Sequence, residues 1–277
     1  MAKQTMSPLR YPGGKNVLYD YVKNLIISNN LEGCTYIEPY TGGGSVAIKL
    51  LYENIVDSIV INDYDRSIYA FWYCVLNHAD DLCKRIENTK IDMDTWNEMK
   101  DIQDNKSLVN IKDLGFSTLF LNRTNISGII KAGVIGGKKQ EGKYKLDCRF
   151  NKEKIISKIK TIESLKGKIT LYNLDTLELI KNVLPNIEEQ RFIFFDPPYY
   201  KKGSSLYVNF YNDHDHKELY RNIAKINNSH WIVTYDNVPQ ISDLYSKYRS
   251  RTYSINYTAS HPKSGSEIMF YSNDLLY

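Results

Sequence analysis

The run Asp196-Pro197-Pro198-Tyr199 places a carboxylate, two stiff carbonyls and an aromatic ring within one short stretch. Consecutive prolines remove two backbone donors and restrict the chain, so their carbonyls are held rather than drawn into a ladder. The set suits an exocyclic amine on a flat base: Asp196 and the Pro197 carbonyl each accept one N–H, and Tyr199 stacks on the ring. Such an amine is a weak nucleophile because its lone pair is conjugated into the ring. Turning its hydrogens out of plane exposes the lone pair to an electrophile, and holding the reactants in line supplies much of the remaining acceleration. The plainer alternative is a proline pair that merely ends a strand.

The elements that must position the tetrad are legible around it. Residues 192–195 are wholly apolar and run straight into Asp196, so the tetrad sits at the carboxyl end of a central strand, where open α/β sheets bind ligands. Toward the start of the chain, Glu38-Pro39-Tyr40-Thr41-Gly42-Gly43-Gly44-Ser45 follows the apolar run 35–37 and opens a helix. Glycines there let a ligand approach the backbone, and a helix start offers N–H groups. Neither G-x-G-x-x-G spacing nor a Gly-Lys-Ser/Thr ending is present, which argues against a dinucleotide fingerprint and a P-loop. Asn62-Asp63 ends the next run, 58–61, where an acid is placed to bond ribose hydroxyls; capping of the following helix is the alternative.

Strand-then-helix alternation opens the chain and returns with runs at 169–172, 191–195 and 230–234. Asp215 and Glu218 have capping-box spacing for a helix from His216 to about Asn227, and 251–258 with 267–272 read as a closing strand pair. Residues 77–166 interrupt the alternation with helices and one expected hairpin, 133–135 against 144–146, turning at Gly136 and Gly137. The predicted architecture is α/β: a doubly wound, Rossmann-like sheet with an inserted, mainly helical subdomain carrying a β-hairpin.

Composition narrows the class. The 277 residues, 42% hydrophobic and 25% charged, are those of an ordinary globular protein. No run reaches the ~20 apolar residues of a membrane span, and the first ten lack a signal peptide's apolar stretch, so a cytoplasmic location without a membrane partner is expected. Cys34, Cys74, Cys83 and Cys148 form no C-x-x-C pair and are read as reduced, with no metal site. The net charge is only +4, but residues 131–168 hold twelve Lys or Arg against four Asp or Glu. That block reads either as a solvated face or as a polyanion-binding surface.

In this order the motifs resemble those of the Dam-type, D12-class DNA adenine-N6 methyltransferases, over nearly the whole chain. Arg10-Tyr11-Pro12-Gly13-Gly14-Lys15 looks like that family's N-terminal cofactor motif, and Glu38 through Gly44 like its Gly-rich loop. Asp63 looks like its ribose-binding acid, Asp175 and Thr176 like its cofactor-adenine contact, and Asp196 through Tyr199 like its catalytic motif. The resemblance implies an S-adenosyl-L-methionine (AdoMet) domain of residues 1–76 and 167–277, and a DNA target-recognition domain of residues 77–166. AdoMet contacts are implied for Tyr11, Gly13, Lys15, Glu38, Pro39, Gly42, Gly44, Asp63, Asp175, Thr176 and Asp196, with Lys15 reaching the cofactor carboxylate. The implied reaction is direct methyl transfer to the amino group of an adenine flipped out of duplex DNA, yielding S-adenosyl-L-homocysteine, with Asp196, Pro197 and Tyr199 as catalytic residues.

DNA contacts are expected from Arg10, Arg123, Asn125, Lys138, Lys139, Lys143 and Arg149: Arg123 reading guanine, Asn125 reading adenine and the hairpin lysines on phosphates. The family's Gly-Tyr-Asn-Gly run, associated with GATC recognition, is here Asn125-Ile126-Ser127-Gly128, which leaves the recognised site open. The resemblance also implies a prokaryotic or viral origin and a monomer in solution, with two molecules on a palindrome and a companion restriction endonuclease in a restriction-modification setting. A methyltransferase acting on RNA or a protein amide, and a DNA binder that has lost catalysis, are the rival readings.

Overall fold

Among the described residues, seven strands form one sheet in the order β3-β2-β1-β4-β5-β7-β6. They are β1 (Thr35–Glu38), β2 (Ser58–Asn62), β3 (Ile169–Tyr172), β4 (Arg191–Phe195), β5 (His230–Asp236), β6 (Ser250–Tyr257) and β7 (Lys263–Tyr271). A computed structural model describes residues 5–10, 15–188, 190–201, 211–257 and 263–277 of the chain. The first five strands are parallel, and β7 lies antiparallel between β5 and β6. Strand order reverses between β1 and β4, which opens a crevice beyond their carboxyl ends.

The sheet is buried on both faces because its central strands are apolar at successive positions. Tyr36, Phe192, Phe194 and Ile232 enter one hydrophobic cluster. Their neighbours Ile37, Ile193, Phe195 and Val233 point the other way, into a second. The first cluster is covered by α1 (Tyr19–Ser28), α2 (Ser45–Tyr52) and α3 (Arg66–Asn77). The second takes in Leu219 and Ile223 of the later helix Asp213–Ile223. That helix starts three residues before the expected His216: Asn212 caps it, its side chain accepting from His214 N and Asp215 N, while Asp215 Oδ2 accepts from Asn212 N.

The interruption is helical, with α4 (Ala79–Asn88), α5 (Met93–Asp104), α6 (Ile111–Thr124) and α7 (Lys152–Ser164). Its apolar residues, among them Trp96, Phe116, Leu119, Phe150 and Ile155, join the same cluster as Tyr36 and Phe192 rather than a core of their own. Contact between α3 and α6 is close enough that a Cβ on Gly115 would lie 2.6 Å from the Ala70 carbonyl oxygen. The expected hairpin is not formed. Gly136 and Gly137 have φ of 87° and 76°, and Gln140 51°, which turn the chain out of the β region. Gln140 ties the resulting loop, donating to Ile135 O at 2.8 Å and accepting from Leu146 N at 2.9 Å, and the one bridge is Asn125 to Val134. No helix among the described residues is long and apolar enough to cross a membrane.

Candidate active site

Asp196 follows β4 directly, and the β4–β5 register, ending on Phe195 opposite Val233, brings Thr234 beside it. Thr234 Oγ1 donates to Asp196 Oδ1 at 2.7 Å, and Lys15 Nζ lies 3.1 Å from the same oxygen. Asp196 Oδ2 makes no hydrogen bond among the described residues, and neither does the Pro197 carbonyl of the next residue, so both acceptors remain open there. Burial pushes the Asp196 carboxyl up, opposed chiefly by the Lys15 ammonium. Burial also works against the charge on Lys15, but Asp196 and Glu267 outweigh it and hold the ammonium above its ordinary value.

Lys15 is buried and turned inward: it donates to Tyr199 Oη at 3.0 Å and to Glu267 Oε2 at 2.9 Å, besides its pairing with Asp196. All three ammonium hydrogens are thereby used, so the expected reach toward a cofactor carboxylate is not the arrangement present. Tyr199 is buried and donates to Glu267 Oε1, and Tyr253 Oη donates to Glu267 Oε2 at 2.6 Å. Asp236, at the end of β5, accepts from Tyr200 N at 2.8 Å and Lys201 N at 3.0 Å, fixing the chain that leaves the tetrad.

The Gly-rich turn follows β1 and abuts β2 and β3. Asp63 Oδ2 accepts from Gly42 N at 2.9 Å and Oδ1 from Asp65 N at 2.9 Å. Burial, reinforced by Asp65, pushes the Asp63 carboxyl up to about 7. Asn62 ties three segments together, donating to Pro39 O at 2.9 Å and Leu174 O at 3.0 Å and accepting from Leu174 N at 2.9 Å. Gly42 and Gly44 adopt φ of 47° and 57°, and a Cβ on Gly44 would meet Trp72 at 2.9 Å.

Glu38 is turned down rather than into the crevice: its Oε1 accepts from Tyr36 Oη and from Ala47 N in the first turn of α2, both at 3.1 Å. Burial pushes its carboxyl up to about 8. Asp175 caps the short helix α8 (Thr176–Glu178) through Leu177 N, and the Tyr40 and Tyr211 hydroxyls meet at 3.0 Å beside Thr176. Asp63, Asp175 and Asp196 thus stand at or just beyond the carboxyl ends of β2, β3 and β4, and the one ammonium beside Asp196 is already paired. That donor set fits a nucleoside bearing positive charge and not a polyphosphate. Tyr11 and Gly13 lie outside the described residues.

Of the expected DNA contacts, Lys138, Lys139 and Lys143 stand exposed on the loop tied by Gln140, with Arg149 exposed beyond it. Asn125 is fully buried, accepting from Trp96 Nε1 at 2.7 Å and donating to Ile129 O at 3.2 Å and Ile130 O at 2.9 Å. A side chain so committed cannot read a base edge, and the adenine-reading expectation is corrected on that ground. Arg123 is likewise drawn in, donating to Pro8 O and to Arg149 O, which leaves no bidentate fork for guanine.

Sequence reasoning passed over Lys158 of α7, whose Nζ donates to Ser7 O at 3.0 Å near Arg123. Burial, then Arg123 and Lys154, press its ammonium down to about 8, and burial with Arg10 presses the Arg123 guanidinium down to about 10. Arg10, Arg123, Arg149 and Lys158 form a cation cluster that no carboxylate pairs with among the described residues. Asn122 clamps Arg10 within it, accepting from Arg10 N at 2.7 Å and donating to Arg10 O at 2.6 Å. Thr234 and Glu267 were also missed; Thr234 stands out as a polar residue directly after the apolar Trp231, Ile232 and Val233, whereas Glu267 follows Lys263, Ser264 and Ser266 in its strand and carries no such signal.

The mixed sheet with its five parallel strands and the Asp-Pro-Pro-Tyr run at a strand end are those of a methyltransferase, and the chain belongs to the D12 class N6 adenine-specific DNA methyltransferase family, whose profile matches residues 11–260. It is accordingly a DNA adenine methyltransferase and works with a methyl donor. The chain is 25% identical over 242 residues to the Type II methyltransferase M.MjaIII of Methanocaldococcus jannaschii, covering 78% of this chain and 80% of that protein. Among solved structures, a putative RNA methyltransferase, PH1948, from Pyrococcus horikoshii aligns with a TM-score of 0.46 at 10% identity, covering 95% of this chain and 85% of that one. The rRNA methyltransferase aviRa from Streptomyces viridochromogenes aligns at 0.38 and 10%, covering 88% and 79%.

Proposed function

We propose that the enzyme transfers the methyl group of AdoMet directly to the amino nitrogen of an adenine flipped out of duplex DNA, leaving S-adenosyl-L-homocysteine. The observation that carries this reading is the division of labour on Asp196: Oδ1 is taken by Lys15 and Thr234, while Oδ2 and the Pro197 carbonyl stay open. Two fixed acceptors for two N–H hydrogens align the amine without reorganisation at the moment of reaction. Tyr199, pinned through its hydroxyl, supplies the stacking face. AdoMet supplies the electrophilic methyl carbon. Asp63 accepts ribose hydroxyls, the Gly42 to Gly44 turn and Pro39 line the methionine end, and Tyr40, Asp175 and Thr176 border the adenine.

DNA lies across the helical segment 77–166, which serves as the target-recognition unit. Lys138, Lys139 and Lys143 meet phosphates from the loop, and the Arg10, Arg123, Arg149 and Lys158 cluster holds the backbone next to the crevice, positioning the duplex without reading it. The likeness to a type II methyltransferase favours a restriction-modification setting in the cytoplasm, with a companion endonuclease and one or two copies acting on a palindrome.

Tritiated AdoMet offered separately with duplex DNA, RNA and protein extract should label duplex DNA alone, and Asp196→Ala should abolish that labelling. Label in RNA or protein, or near-normal transfer by Asp196→Ala, would overturn the reading.

A further inference from the structure

Two carboxylates stand together where β2 gives way to α3. Asp63 accepts from Gly42 N on one oxygen and from Asp65 N on the other, and Asp65 Oδ1 accepts from Ser67 N at 3.0 Å. A cation reaches this turn from far along the chain: Lys106, just past α5 in the helical segment 77–166, places Nζ 2.7 Å from Asp65 Oδ1. The same segment grips the turn twice more, Val109 O accepting from Arg66 Nη2 at 3.1 Å and Gln103 Oε1 from Ser67 Oγ at 2.9 Å. Asn173, beyond β3, donates to Asp63 O at 2.7 Å and brings no charge. Burial first, then Asp65, pushes the Asp63 carboxyl up, and Lys106 opposes them. With an N–H already against each oxygen, the carboxyl serves a ribose best when ionised, because a proton would occupy one of the lone pairs that remain.

We propose that Lys106 is a positioning residue of the donor pocket: by meeting Asp65 it keeps Asp63 ionised to accept ribose hydroxyls, so the helical segment assigned to DNA also completes the site for the methyl donor. The inference rests on Asp63 being the acceptor for the ribose of AdoMet. Without the Lys106 ammonium, the Asp65 charge acts on Asp63 with less to oppose it, and Asp63 keeps its proton to higher pH. The ribose then meets a protonated acid, and the donor is held less tightly around neutrality. The sign is fixed by the form that binds. Affinity rises with pH as Asp63 ionises, near pH 7 with Lys106 in place, and loss of Lys106 moves that rise upward.

Calorimetric titration of S-adenosyl-L-homocysteine, which carries the same ribose, into the full chain at several pH values tests this. An opposite charge nearby shifts a carboxylate by about 1–3 pKa units, and because Lys106 meets Asp65 first the lower end applies. Lys106→Gln, which can still hydrogen-bond to Asp65 but carries no charge, should therefore bind about tenfold more weakly than the wild type at about pH 6 and equally well at about pH 9. Lys106→Arg, which keeps the charge, should follow the wild-type profile. Asp65→Asn keeps a good helix cap while removing the repulsion, so the double variant Lys106→Gln with Asp65→Asn should regain the wild-type affinity at the acid end.

A Lys106→Gln profile that superimposes on the wild type, a loss equal at every pH as a merely structural contact would give, or a double variant as weak as Lys106→Gln overturns the proposal. Asp63→Asn separates it from the reading beneath. If that variant binds as the wild type does, the ribose assignment fails and the role of Lys106 with it; weak binding by Asp63→Asn beside an unaffected Lys106→Gln refutes the role of Lys106 alone.

Discussion

Thr234→Val isolates one hydrogen bond at the reacting carboxylate. Thr234 is fully buried and its hydroxyl lies 2.7 Å from Asp196 Oδ1, so a nearly isosteric valine removes a donor without opening a cavity. A hydrogen bond to a charged group contributes roughly 1.5–3 kcal/mol, and with Lys15 still in place the lower end applies, which corresponds to about one pKa unit. The sign follows from which form is active. The ionised carboxylate accepts the amine hydrogens, Thr234 favours that form, and its loss raises the folded pKa. The acid limb of kcat/KM should therefore move up by about one pH unit, and plateau kcat should fall about tenfold as Oδ1 competes with Oδ2 for the substrate amine. Initial rates of methyl transfer between about pH 6 and 9, with a thermal melt of each protein, are the assay. A folded variant whose profile superimposes on that of the wild type would refute the assignment of Oδ1 and Oδ2 to different partners.

Asn125→Ala should cost about 2–4 kcal/mol in denaturant unfolding, because it strands a buried indole N–H and two carbonyls; a stable variant with altered sequence preference would return Asn125 to base reading. Lys158→Ala should weaken duplex binding to all sequences alike and lower the salt slope by about one, measured by fluorescence anisotropy at several ionic strengths. Glu38, with its folded carboxyl at about 8 and an ordinary value of 4.5, holds a proton that the unfolded chain releases, so its contribution to stability is present at pH 4 and lost as pH rises toward 8. Glu38→Gln should consequently gain on the wild type in melts between pH 5 and 8, and a parallel pair of curves would show that Glu38 is ionised when folded.

The strands were readable because burial on both faces leaves an uninterrupted apolar run, as in 192–195, and a turn or motif marks each end. The tetrad and the Gly-rich turn were readable for a related reason: their chemistry is contiguous in sequence. Glu267 was not, since it meets Lys15 across 252 residues and only the packing of the 15–18 turn in the folded chain brings the two together. The expected hairpin failed on local backbone geometry, where Gly136 and Gly137 supply turns instead of a ladder. Asn125 and Arg123 looked like surface readers because Asn and Arg commonly are; their burial under the segment 7–10 depends on contacts that no local pattern announces.

Gly115 presses α6 against the Ala70 carbonyl, and the helices from α4 to α7 share one hydrophobic cluster with the sheet. Such a seam resists exchange: grafting the whole 77–166 segment from a relative would bring mismatched side chains to α3 and to the apolar cluster that the segment shares with it. The exposed loop around Lys138, Lys139 and Lys143 is under no such constraint: its conformation is held by Gln140 and its glycines, and its lysines touch nothing in the core. Substitutions in that short loop should therefore leave the packed helices and the sheet as they are, whereas changes along α6 should not.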